Sequence, residues 1–215
     1  MKKSNGPRAS AVAASETVVI VFKLREKQKH YTLHKRLLTY HSGYFRSRLA
    51  DGSEIYHVSE SADFDTMDFD ILVDWMYERS LPALIDMESD EDMLNVYMIA
   101  ENLSIGTLKN ALMDVLFDWL PPCFLSAEDL EMICESLPQN DPLLRLTTDI
   151  FCLKGWVEEL SNGHPGWVDN LPQQFLVRVI QRMDQLSKLP EADRELKRED
   201  YDIVECVSSE DKDGE

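Results

Sequence analysis

The chain has 215 residues, of which 44% are hydrophobic, enough for one core or for about one and a half domains of ordinary size. No apolar run approaches the roughly 20 residues that a bilayer-spanning helix needs, and Lys2 and Lys3 are not followed by the apolar segment of a secretory signal. We therefore expect no membrane association and a location in the cytoplasm, the nucleus or both.

Charge is distributed unevenly along the chain. Residues 1–50 contain eleven Lys and Arg residues against Glu16 and Glu26, which gives a formal charge of +9. The net charge of the whole chain is −18, so the remaining residues carry −27. Opposed charges favour protein partners, including a second copy of the chain. The −27 segment would repel phosphates, which argues against direct nucleic-acid binding.

The N-terminal part predicts an arm, a β-hairpin and a helix. Residues 1–16 have no apolar periodicity and are expected to form a flexible basic arm. The β-branched run Val18–Phe22 predicts a strand, and residues 26–29 predict a polar turn before a second strand. Leu33, Leu37 and Leu38 then share one face of a helix from about His34 to His41.

A second short helix should follow directly. Ser42-Gly43 ends the first helix, and Ser42 is placed to cap the next one. Tyr44, Phe45 and Leu49 point together in that helix, with Phe45 and Leu49 at i, i+4 spacing. The pattern therefore predicts a helical hairpin with a buried aromatic end.

The next segments continue an α+β pattern. Residues 55–59 alternate like a half-buried strand, and a helix beginning near Asp65 carries Phe69 and Met76 on one face. Two further amphipathic helices are predicted before Pro121-Pro122, which is the strongest boundary signal in the chain.

These pieces together resemble the BTB (POZ) domain, as found in many short fungal proteins. The resemblance is carried by Leu33, His34, Leu37, Leu38, Ser42, Tyr44, Phe45, Glu54, Phe69, Trp75 and Tyr77. It implies an α+β BTB/POZ fold, a small sheet with helical hairpins, over residues 17–120, and one core containing Leu37, Leu38, Phe45, Phe69 and Trp75. Glu16-Thr17 departs from the Asp that precedes the first strand in animal BTB transcription factors, so their corepressor groove is not carried over.

The second half predicts an all-helical extension over residues 121–189. Ser126 with Asp129 forms a capping box, and Asp141-Pro142 and Leu171-Pro172 each open an amphipathic helix. Segments 141–146 and 171–176 resemble the extension of the fungal BTB group. Residues 190–215 are acidic with few large apolar side chains and are expected to be a disordered tail.

The sequence shows no pattern of catalytic or metal-binding residues. It contains no P-loop, GxGxxG, GxSxG or HExxH motif, and its five histidines lack acidic or thiol partners at ligand spacing. The four cysteines are too far apart for a CxxC pair. We therefore expect no enzyme activity, no cofactor and no metal.

Two functions follow from the resemblance. The first is a non-enzymatic interaction module that recruits protein partners or forms a homodimer through the helix at His34–His41 and the basic region of the first strand. The second is a substrate-receptor adaptor of a cullin-based ubiquitin ligase. Cullin-binding BTB proteins have a hydrophobic-x-Glu motif before the strand that follows the helical hairpin, and the corresponding residues here are Gly52-Ser53-Glu54. Glu54 matches and is a candidate partner contact. Gly52 lacks the hydrophobic side chain, so we expect weak cullin binding.

The tail holds one further candidate site. Ser208 precedes Glu210 and Asp211, the pattern that acid-directed kinases use, and is a candidate phosphosite.

Overall fold

The structure, a computed structural model, describes residues 6–24, 27–50, 52, 55–58, 66–81, 90–120, 125–153 and 168–203. The chain divides into two compact units, Met1–Leu108 and Lys109–Glu215. The sequence places the end of the first domain at residue 120, and that boundary stays a prediction because residues 121–124 lie outside the described ranges.

The first unit contains a three-stranded sheet in the order β2-β1-β3. Strand β1 (Thr17–Leu24) pairs with β2 (Lys27–His34) antiparallel, from Thr17 opposite His34 to Leu24 opposite Lys27. Strand β3 (Ile55–Val58) pairs with β1 in parallel, with Val19 opposite Ile55. Val18, Ile20 and Val21 are buried, as the unbroken apolar run in β1 predicts.

Helices surround this sheet in the first unit. They are α1 (Ala9–Ala13), α2 (Lys35–His41), α3 (Gly43–Arg48), α4 (Thr66–Glu78) and α5 (Asp90–Asn102). The apolar faces of α2 to α5 supply the core, in which the largest fully buried side chains include Phe45, Phe69 and Tyr97. The α+β architecture expected from the sequence, a small sheet with helical hairpins, is therefore present.

Four α-helices account for most of the described second part of the chain. They are α6 (Gly106–Trp119), which crosses the division between the units, α7 (Ala127–Ser136), α8 (Pro142–Leu153) and α9 (Gln173–Ser187). A short 3-10 turn at Val168–Asn170 precedes α9, and two more, at Glu191–Asp193 and Arg198–Tyr201, follow it. Within the second unit, α9 packs against α8 and α7.

Two segments are more ordered than the sequence predicts. The expected flexible arm contains α1, whose Val12 is buried. The disorder expected from residue 190 is wrong for residues 191–203, because Tyr201 is buried and its hydroxyl donates to Asp149 Oδ2 at 2.7 Å. Composition averaged over the tail conceals this aromatic side chain, which attaches the segment together with the hydrogen bonds that Arg198 and Ile203 make to Asn110.

Candidate protein-interaction surface

The α2–α3 hairpin is fixed by a cap and a close backbone contact. Ser42 Oγ accepts a hydrogen bond from Phe45 N at 3.1 Å and donates one to Leu103 O at 2.6 Å. Gly43 N donates to Ser104 O at 3.1 Å, and a Cβ on Gly43 would lie 3.1 Å from Ser104 Cβ. The close approach therefore favours glycine at this turn, and the hairpin is attached firmly to the end of α5.

The predicted motif residues separate into buried and accessible groups. The buried group consists of Leu33, Leu37, Leu38, Ser42, Phe45, Phe69 and Trp75. His34 and Tyr44 are half-buried, and Tyr77 is 43% exposed, so Tyr77 is not a core residue. It lies on the outer face of α4, where its hydroxyl accepts from His34 N at 3.2 Å and lies 2.8 Å from His34 Nδ1.

Two exposed tyrosines lie at opposite ends of α2. Tyr40, at the C-terminal end, is 44% exposed, and Tyr77 contacts the His34 ring at the N-terminal end with ring centroids 5.9 Å apart. Among the described residues of the first unit, these are the large apolar side chains that remain exposed. A helix of seven residues is about 10 Å long, so the two exposed rings lie at the two ends of one short helix. We call His34, Arg36, Tyr40 and Tyr77 the α2 surface.

The part of the α2 surface that α2 and α3 contribute is basic. No Asp or Glu occurs between residues 27 and 50, whereas Arg36, Arg46 and Arg48 are exposed. Arg46 donates from Nε to Thr39 O at 2.9 Å and from Nη2 to Tyr40 O at 3.1 Å. These bonds satisfy carbonyls at the C-terminal end of α2 and hold a positive charge beside Tyr40.

Residues 14–117 match the family model of the BTB/POZ domain. The matched segment runs from the end of α1 almost to the end of α6. These residues form a BTB/POZ domain. BTB domains are general protein–protein interaction modules, including modules of dimerisation, and are generally non-enzymatic. No curated protein matches the chain.

Behind the α2 surface of the BTB domain lies a buried histidine that the sequence did not reveal. His41 is 5% exposed, and its Nδ1 lies 3.0 Å from Arg79 Nη1, while the Arg79 guanidinium lies 4.3 Å from the centre of the Trp75 ring. Burial, and then the charge of Arg79, lowers the pKa of His41 to about 4. The imidazole is therefore neutral near pH 7 and can accept a hydrogen bond from the guanidinium. Its position four residues after Leu37, on the apolar face of α2, was the available signal.

A second polar cluster joins β2 to α4. Lys29 Nζ lies 2.5 Å from Asp70 Oδ2, and the Tyr31 hydroxyl donates to Asp70 Oδ1 at 2.8 Å. The hydrogen bond to Asp70 raises the pKa of Lys29, and burial raises the pKa of Tyr31 to about 12. Both side chains of the ion pair are over 40% exposed, so this pair adds little stability and mainly orients α4.

Several predicted sites lie outside the described residues. These are Glu54, Ser53 and Ser208. Within the described ranges, no group of three or more His, Cys, Asp or Glu residues is arranged to hold a metal ion, and no helix is both long and apolar enough to cross a bilayer.

Proposed function

We propose that this protein is a non-enzymatic interaction protein whose BTB domain self-associates through the α2 surface. The observation that carries the proposal is the pair of half-exposed tyrosine rings, Tyr40 and Tyr77, held at the two ends of one helix that has exposed arginines beside it. Tyrosine and arginine are enriched at the centres of protein interfaces, and tyrosine costs little conformational entropy to immobilise.

Charge supplies the complementary surface. Helix α4 carries Asp74 and Glu78, both exposed, and the chain beyond residue 50 carries −27. Asp74 and Glu78 lie on the same helix as Tyr77, so the basic residues of α2 on one copy can attract these acidic residues on another copy. Because such attraction is screened by ions, association should weaken as salt increases.

The test is the oligomeric state measured by sedimentation at low salt and at about 0.5 M salt, where the Debye length is only a few ångströms. Tyr40→Ala should weaken association about 10-fold, the effect of losing one interface hot spot of about 1.4 kcal/mol. Met183→Ala is a matched control, because Met183 is also 44% exposed but lies on α9. A monomer at every concentration and ionic strength, or an equal effect of Met183→Ala, would contradict the proposal.

The alternative function, a receptor subunit of a cullin-based ligase, depends on residues 52–54. Gly52 is exposed and has a φ of +87°, and none of the residues that the structure describes has an atom within 4 Å of its Cβ position. A side chain would have room there, but the left-handed backbone disfavours one by about 1 to 2 kcal/mol. We therefore expect weak cullin binding by the natural chain. The test is a pull-down with a cullin scaffold that compares the natural chain with the Gly52→Met variant, and the folding of the variant is measured in parallel. Tight binding of the natural chain to the cullin would favour the ligase function.

A further inference from the structure

A groove of about 380 Å³ lies in the second unit, between α8, α9 and the turn Arg198–Tyr201. This volume is in the range of small ligand sites. Ten residues line the groove, and those that decide its chemistry are Arg145, Asp149, Arg178, Arg182, Asp200 and Tyr201. Three arginines are thus collected in a part of the chain that is otherwise strongly acidic.

One of the three arginines is already neutralised. Arg182 Nε pairs with Asp149 Oδ1, and Arg182 Nη2 donates to Asp149 Oδ2 at 3.1 Å. The Tyr201 hydroxyl donates to the same Oδ2 at 2.7 Å, and burial raises the pKa of Tyr201, so that it remains a donor. The carboxylate of Asp149 is therefore committed to these two partners and does not neutralise the other arginines.

The remaining two arginines bond to neutral oxygens. Arg145 Nη2 donates to the backbone carbonyl of Asp200, and its guanidinium lies 5.6 Å from the centre of the Tyr201 ring. Arg178 Nη1 donates to the backbone and side-chain oxygens of Gln139 at 2.7 and 3.0 Å. Among the residues that the structure describes, neither Arg145 nor Arg178 lies within 4.0 Å of a carboxylate oxygen.

A buried donor in the wall of the groove lacks an acceptor. Arg178 Nε is shielded from solvent and has no hydrogen-bond partner within the described part of the chain. Buried N–H donors are satisfied in the great majority of native proteins, so this nitrogen is an exception. An anion in the groove reaches it only after a movement of the Arg178 side chain, but guanidinium groups match phosphate and carboxylate oxygens well and can offer their remaining N–H donors.

The rim of the groove limits which anions can bind. Glu195 and Asp200 also line it, and both are exposed. Their charges offset the inner arginines, so the groove as a whole has no net positive charge. It therefore suits one localised oxyanion that reaches Arg145 and Arg178, and it does not suit an extended polyanion such as a nucleic acid.

We propose that this groove binds the oxyanion group of an acidic peptide segment, with phosphate preferred over carboxylate because its additional oxygens can engage both guanidinium groups. Two sources carry this chemistry. One is the chain's own residues 204–215, which follow Ile203 and contain Ser208, and the other is a phosphorylated segment of a partner protein. The proposal is independent of self-association by the BTB domain.

The probe is a fluorescent peptide with the sequence of residues 204–215, with and without phosphate on Ser208, titrated into the full-length chain. We expect the phosphopeptide to bind about 10-fold more tightly than the unmodified peptide, and Arg145→Gln and Arg178→Gln each to weaken it about 10-fold. Arg194→Gln is the matched control, because Arg194 is exposed and, among the described residues, its side chain bonds only to Leu189 O. Circular dichroism of each variant establishes that it remains folded.

Three results would overturn the proposal: no binding of the phosphopeptide, equal binding by all variants, or an equal loss in Arg194→Gln. Equal affinity for both peptides would overturn the preference for phosphate. Peptide binding is then measured with the full-length chain phosphorylated on Ser208, which identifies the source of the bound oxyanion. Loss of peptide binding in that form supports occupation by the chain's own tail, whereas unchanged binding supports a segment of a partner.

Discussion

The two units place their polar groups differently. Among the described residues of the first unit, the buried polar side chains are the neutral ones of His41 and Ser42, and the core consists of aromatic and aliphatic side chains around Phe45 and Phe69. The second unit buries charges, because Lys109 and Asp141 are 5% and 2% exposed and Asp149 is 7% exposed. The stability of the first unit thus depends on apolar packing, whereas the stability of the second unit also depends on matched buried charges. The two units should therefore respond to different mutations.

The largest expected effect tests packing in the first unit. Phe45→Ala should lower the free energy of unfolding by about 3 to 5 kcal/mol, because Phe45 is 1% exposed and its removal leaves a cavity. Hydrogen exchange should show the loss of protection in residues 1–108. Tyr44→Ala is the control, since the neighbouring Tyr44 is only half-buried and should cost less. An unchanged denaturation midpoint for Phe45→Ala would show that Phe45 does not contribute to the core.

The buried ion pair of the second unit should be nearly as sensitive. Lys109 Nζ lies 2.6 Å from Asp141 Oδ2, while Asp141 Oδ1 accepts from Leu143 N at 2.8 Å and caps α8. Lys109→Met leaves the Asp141 charge buried without this lysine and should cost about 3 kcal/mol. In Lys109→Met with Asp141→Asn the cap is kept and the charge is removed, so part of the stability should return. A double variant less stable than Lys109→Met would contradict this account.

Acid should affect the first unit through His41. Its pKa is lowered to about 4 in the folded protein, by burial and then by Arg79, against about 6.5 when unfolded. Folding therefore favours the neutral form of His41. The stability that this preference gives the folded protein is present above about pH 6.5 and is lost as pH falls toward about 4. Between about pH 7 and pH 5 this loss amounts to about 2 kcal/mol. Denaturation of His41→Phe should lack this component, and equal pH dependence of the two proteins would refute it.

A smaller effect tests the attachment of Tyr201 in the second unit. Tyr201→Phe keeps the ring but removes the hydroxyl that donates to Asp149, which should cost about 1 to 2 kcal/mol. Ser187→Ala also deletes a hydroxyl hydrogen bond, but an exposed one, and should change stability by less than about 0.5 kcal/mol. Thermal unfolding of the two variants measures the difference, and equal melting temperatures would show that the Tyr201 hydroxyl is dispensable.

The sequence by itself determined the features that depend on near neighbours. The cap at Ser42, the capping box of Ser126 and Asp129, and the N-cap at Asp141 are all present where the pattern predicts them. Each joins residues two or three positions apart, so the local order of residue types is sufficient. The burial of Leu37, Phe45 and Phe69 likewise follows from apolar periodicity.

Only the tertiary structure decided which distant polar groups meet. Lys109 and Asp141 are 32 positions apart, and Asp149 and Tyr201 are 52 apart. The pKa of His41 is lowered first by burial and then by the charge of Arg79, which is 38 positions away. In a chain with 40 carboxylates and 22 Lys and Arg residues, every charge has many candidate partners in the sequence. Selection among them requires a known distance and a known exposure, because Coulomb attraction and the cost of removing a charge from water both depend on those two quantities.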